Sequence, residues 1–189
     1  MIRSRIMKAG VCVVALMLLL TGGQTAHAGV TKDAASKYLK DVQQGNPGFK
    51  SVGKITFGPG GLLVVADPAK ATITVIDTHD VGPLKKLERK VPQIDIAVAA
   101  SLGVEPDQIE IADMAVNSQS GKVYLSVNRK TDGQPAILVI DAQGKVKNFD
   151  LAEVDYIQVA LPGGEESKIR NITGVALASD RLLAAAQSN

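Results

Sequence analysis

Cysteine occurs once in the 189 residues, at Cys12. No internal disulfide can form, and beyond residue 12 no thiol is available for catalysis or metal binding. Histidine occurs twice, at His27 and His79, so a zinc site built mainly from imidazole and thiolate is excluded. Any metal would be a hard ion such as calcium, held by carboxylates and carbonyls. Tryptophan is absent and aromatics make up 3% of the chain, which argues against stacking platforms for bases or sugars. Charge of one sign is also lacking: 21 Lys and Arg stand against 19 Asp and Glu. Three of the basic residues, Arg3, Arg5 and Lys8, lie in the first 28 positions, where there is no acid, so the other 161 residues carry a net −1. That balance offers no basic surface for nucleic acid. No P-loop, dinucleotide fingerprint, EF-hand loop or zinc signature is present.

The N-terminus has the three parts of an export leader. Arg3, Arg5 and Lys8 precede an apolar run from Ala9 to Leu20; Thr21-Gly22-Gly23-Gln24 breaks it, and Ala26-His27-Ala28 supplies small residues two apart. Residues 1–28 are therefore expected to be a helical Sec-type signal peptide cleaved after Ala28, which directs the protein to the periplasm or the medium. The run is shorter than the roughly 17–25 residues of a membrane span, so no stable anchor is expected after cleavage. Cys12 lies inside the run rather than at the cleavage point, which argues against lipidation.

Residues 29–48 read as a short helix or linker. Ala35, Tyr38, Leu39 and Val42 form one stripe, and Gly45-Asn46-Pro47-Gly48 ends it. From residue 49 to 189 the pattern changes to short apolar runs punctuated by Gly, Pro, Asp and Asn, as in successive strands. Strands are expected at Lys54–Phe57, Leu62–Ala66, Thr72–Ile76 and Leu84–Val91. They return at Met114–Val116, Val123–Val127, Ile137–Asp141 and Lys145–Leu151, and again from Gly174 and Leu182. FGPGGLLVVA from Phe57, VNSQSGKVYLSV from Val116 and LASDRLLAAA from Leu177 align, at offsets of 59 and 61 residues. Asp77 after ITVI corresponds to Asp141 after ILVI. Such repetition points to stacked four-stranded units, an all-β partial β-propeller of about three blades with the third incomplete. Insertions fall at Pro92–Asp113, where Ile94, Ala97, Val98 and Leu102 stripe a short helix ended by Gly103, and at Ala152–Thr173.

ITFGPGGLLVVADPAKATITVIDT and MAVNSQSGKVYLSVNRKTDGQPAILVIDAQGKV resemble blades of secreted bacterial propellers of the NHL and YVTN-repeat type. In shape they are also similar to quinoprotein amine dehydrogenase β-chain-like and other WD40-like propellers. The resemblance covers Val52 to Asp150 and, in part, Ile172 to Asn189. It implies a rigid scaffold whose loops bind a protein or a small molecule, and some such propellers are hydrolases; the charge balance leaves nucleic acid out as partner. Closed propellers use four to eight blades, so at ~60 residues per unit it also implies a truncated chain with open blade edges, prone to self-association.

The loops at one mouth of such a ring hold Asp67–Lys70, Pro92–Asp113, Asn128–Gln134 and Ala152–Thr173. Asp67, Asp113, Asn128 and Arg129 are the candidate ligand-binding residues. Asp67 and Asn128 also have the side chains that close turns on their own backbone. Asp113, before the innermost strand of the second unit, is a candidate calcium ligand or base. Asp107, Glu110, Glu165 and Glu166 are further acids in these loops. His79 lies between Thr78 and Asp80, but no nucleophile elbow accompanies it, and a solvated turn histidine is the expectation. Lys85, Lys86, Arg89 and Lys90 are expected on an outer strand that guards an edge. The leading reading is an exported, non-enzymatic binding scaffold, and the alternative is a calcium-assisted, lactonase-like hydrolase.

Overall fold

A computed structural model describes residues 11–16, 39–162, 169–178 and 181–188, with only the backbone given for 11–16. The described residues form three antiparallel sheets, none closed, and one α-helix. The strands are β1 (Val11–Leu16), β2 (Gln43–Gly45), β3 (Ile55–Phe57), β4 (Leu62–Asp67), β5 (Thr72–Asp77), β6 (Ile109–Val116), β7 (Val123–Arg129), β8 (Pro135–Ile140), β9 (Val146–Asn148), β10 (Val154–Ala160), β11 (Ile169–Ala178) and β12 (Arg181–Ser188). The helix is α1 (Ile94–Leu102). Sheet order is β2-β10-β5-β4-β3 in the five-stranded sheet, β6-β7-β8-β9 in the four-stranded sheet and β1-β12-β11 in the three-stranded sheet.

The five-stranded sheet is the middle layer. Every residue of β4 and β5 is buried, as the continuous run LLVVA requires of a strand covered on both faces. Side chains alternate across the pleat. Leu62, Val64 and Ala66 therefore pack with Ile172, Leu182, Ala184 and Ala186 of the three-stranded sheet. Leu63 and Val65 pack with Tyr124 and Ile137 of the four-stranded sheet. Tyr124 sits edge-on to Phe57 at 4.8 Å and to Phe149 at 5.9 Å, filling the space between these two sheets. The far face of the four-stranded sheet is covered by α1 through Val98 and Ala99. Gly103 ends that helix in the left-handed region (φ 69°) that glycine adopts without strain.

The three aligned stretches occupy equivalent places. Each is the first hairpin of its own sheet: β3–β4, β6–β7 and β11–β12.

Four expectations need correction. Leu84–Val91 is not a strand. Its residues are irregular and mostly exposed, because charge lies on both sides of the stretch and leaves it no face to bury. The segment instead crosses the turns of the four-stranded sheet, with Lys85 N donating to Ser120 O (2.9 Å) and Glu88 N to Ala142 O (2.9 Å). Gly121 admits this crossing, since a side chain there would collide with the Lys85 carbonyl. The place beside β5 is taken by β10, which lies within the supposed insertion Ala152–Thr173 and brings apolar Val154, Tyr156 and Ile157.

Of the segment 29–48, expected to be a short helix or linker, residues 39–48 are described and contain no helix. Gln43–Gly45 is strand β2, paired with β10, and Val42 is exposed while Leu39 is buried; residues 31–38 lie outside the described ones. Within the expected signal helix, Val11–Leu16 is an extended strand on β12. A run of β-branched valines suits a strand as well as it suits a leader core. The remainder of 1–28, including the cleavage point, lies outside the described residues. Finally, Asp113 does not precede the inner strand but lies within β6, opposite Ser126.

Candidate functional site

Three of the four nominated residues converge on one stretch of main chain, Lys50–Ile55, which leads into β3. Asp67, the last residue of β4, accepts from Lys50 N (2.8 Å), Ser51 N (3.2 Å), Ser51 Oγ (2.8 Å) and Lys70 N (3.1 Å). It is fully buried, so its charge is compensated by hydrogen bonds rather than by water. Asn128 in β7 pairs with Val52 as a strand would: its Nδ2 donates to Val52 O (2.7 Å) and its Oδ1 accepts from Val52 N (2.9 Å). Asp113 accepts from Ile55 N (3.1 Å) and faces Lys54 Nζ at 3.5 Å. Ser126 Oγ donates to Gly53 O (2.7 Å).

These side chains satisfy main-chain groups that no neighbouring strand reaches. Asp67 does close its turn, as expected. Asn128 reaches across to Val52 rather than bonding within its own turn. Arg129 stands apart, its guanidinium forked on Asp132 at the rim of the β7–β8 loop. Lys130 ties that loop to the 3-10 turn before β6, with its N donating to Gln108 O (2.8 Å) and its Nζ to Asp107 O (3.0 Å). Glu165 and Glu166 lie outside the described residues. Among the described residues no three His, Cys, Asp or Glu side chains converge on a point.

A second polar cluster lies at the opposite end of the strands, in the turn after β5. Asp80 is buried there and gathers donors from the β6–β7 hairpin. Its Oδ2 accepts from Ser120 Oγ (2.6 Å), Asn117 Nδ2 (3.1 Å) and Tyr124 OH (3.1 Å), and its Oδ1 from Lys122 Nζ (2.8 Å). Asn117 Nδ2 also donates to the Asp80 carbonyl (2.6 Å). Burial acts to raise the Asp80 pKa, but the hydrogen bonds from Lys122, Ser120 and Tyr124 and the Lys122 charge outweigh it and hold the carboxyl below its ordinary value. Burial and then the Asp80 charge push the Tyr124 phenol well above its usual range. Asp80 therefore stays ionised and Tyr124 protonated at neutral pH, which makes a lock rather than an acid–base pair.

Nothing local in the sequence marks Asp80. Its partners lie 37 to 44 residues away, and no local pattern joins them. A cleft of 210 Å³ opens beside the cluster, lined by Gly82, Pro83, Lys85, Asp141 and Gln143.

His79 is more than half exposed, as expected of a turn histidine. It stands between Asp77 (3.3 Å) and Asp155 (3.8 Å), and among the described residues no hydroxyl is bonded to its ring. Asp77 and Asp141, the repeated acids, do the same work. Each turns the chain after its third strand by accepting the amide two residues on, from His79 (2.8 Å) and Gln143 (3.1 Å) respectively.

No protein-family model matches the chain, and no curated protein and no solved structure matches it. Among the described residues no helix is long and apolar enough to cross a membrane.

Proposed function

We propose that the chain is an exported sector of a β-propeller that serves as a binding scaffold, with the loops after β4 and β7 and before β6 as its recognition face. One observation carries the architectural part. The edge strand β3 of the middle sheet packs against an edge strand of each of the other two, β6 and β11. Sheets that fan out from a common axis bring their inner edge strands together in this way.

The scaffold role draws support from the use made of the nominated residues. Asp67, Asp113 and Asn128 are engaged with the main chain of Lys50–Ile55. They stiffen the base of the loop face and leave the loops themselves free to vary. A calcium-assisted hydrolase would need several of these oxygens turned toward a common cation with an open coordination position.

Calorimetric titration of the protein with calcium separates the two readings. The scaffold predicts no saturable heat and no thermal shift. Stoichiometric binding accompanied by hydrolysis of a lactone would return the hydrolase.

A further inference from the structure

Three outer sheet edges are present among the described residues, and they are not alike. The edges at β2 and β9 are three residues long, and β9 carries Lys147 with Lys145 just before it. Shortness and lysine are how soluble proteins discourage strand addition. The third sheet would end on β12, RLLAAAQS, eight residues whose only charge is Arg181 at one end and which contain no proline. Among the described residues its outward edge is covered by β1, in register from Leu16 opposite Leu182 to Val11 opposite Gln187. The segment that shields the unguarded edge is thus the apolar core of the leader.

We propose that β1 is a removable guard, and that without it the β12 edges of two copies pair antiparallel about a two-fold axis to give a dimer. The edge already accepts an antiparallel strand over six residues, so its geometry is competent. The strand is also self-complementary. Pairing centred on Ala184 sets Leu183 of one copy opposite Ala185 of the other, on the face turned away from the core, while Leu182, Ala184 and Ala186 keep their buried packing. The natural trigger, leader cleavage, rests on the export reading above; the competence of the edge does not.

Consecutive prolines remove β1 from the sheet within the full chain, because amides alternate in direction along a strand and one of any two adjacent residues faces β12. Light scattering after size exclusion is expected to give 19.8 kDa for the wild-type full chain and about twice that for Val13→Pro with Val14→Pro, since two copies then share one sheet. Adding Leu183→Lys and Ala185→Lys places like charges directly opposite each other across the axis and is expected to restore the monomer. Strand content by circular dichroism should hold throughout. The exported chain, where its mass begins at Gly29, should be a dimer as well.

A proline variant that stays monomeric over the accessible concentrations overturns the proposal, as does a dimer that survives the two lysines or a processed chain that remains a monomer. An exported mass that still contains Val11–Leu16 overturns the trigger, and the proline variant then decides the edge.

Discussion

The five-stranded and four-stranded sheets are tied together at both ends of their strands, by different means. At one end, side chains from β6 and β7 share out the backbone groups of Val52–Ile55, and no single side chain holds them all. At the other end, four side chains from β6–β7 converge on a single carboxylate. A distributed joint loses only the bonds of the residue replaced. A converging joint loses its centre, and its buried hydroxyl donors are stranded together. The first arrangement tolerates change in the loops above it; the second fixes the relative placement of two sheets through one residue.

The sharpest way to break the contrast is Asp80→Ala. Ser120 and Tyr124 then keep buried donors without an acceptor, at about 1–3 kcal/mol each, whereas Lys122 is exposed enough to turn to water. Urea denaturation at pH 7 is expected to show a loss of about 3 kcal/mol. A loss under 1 kcal/mol would mean that the cluster does not hold the sheets.

The same centre gives the joint a pH dependence. The folded-state pKa of Asp80 lies below its ordinary value, so its contribution is complete above the ordinary carboxylate range and disappears as the pH falls through the folded-state pKa. Urea midpoints measured between pH 7 and pH 2 should fall less steeply for Asp80→Asn than for the wild type. Parallel curves would assign the acid loss to other carboxylates.

Next in size is Asn128→Ala, which removes the two bonds to Val52 and leaves the buried Val52 amide and carbonyl unsatisfied. About 2 kcal/mol is expected, with the remaining bonds to Lys50–Ile55 intact. Hydrogen exchange distinguishes the joints further. In Asn128→Ala the amide of Val52 should lose protection while that of Ile55, held by Asp113, keeps it. Joint loss of both would make this end as centred as the other.

Residue types and local spacing were enough to reveal much of the fold. The continuous run LLVVA and the stripe Ile94, Ala97, Val98, Leu102 each report burial within a few residues, and β4 and α1 form there. The aligned hairpins also reported their equivalence, because a repeated turn repeats its chemistry. What stayed hidden was decided by partners far along the chain. Leu84–Val91 was the fourth strand expected of the first unit, but Val154–Ala160, from the supposed insertion, takes that place because it has apolar side chains to bury against the neighbouring sheet. Asp67, Asp113 and Asn128 carry side-chain chemistry that serves turns and ligand sites alike. Only the approach of Lys50–Ile55 determines which of the two they serve. Asp80 had no local signature at all, since its donors belong to a hairpin that topology alone brings to it.

The smallest effect belongs to Arg129, and it tests whether the rim is energetically separate from both joints. Its guanidinium meets Asp132 three residues on, in a loop where the Asp132 side chain is 44% exposed. Water competes for both partners there, and exposed pairs of this kind contribute about 0–1 kcal/mol. Asp132 also accepts from Gln134 N (3.1 Å), so the turn keeps a bond when the arginine is gone. Arg129→Ala should therefore shift the urea midpoint by less than 0.5 kcal/mol equivalent, about the scatter for surface substitutions. Any change should shrink further in 1 M salt, where screening acts within about 3 Å. A loss as large as that of Asn128→Ala would show that the β7–β8 loop is part of the distributed joint. A near-zero result leaves the rim free to change sequence over a base that cannot.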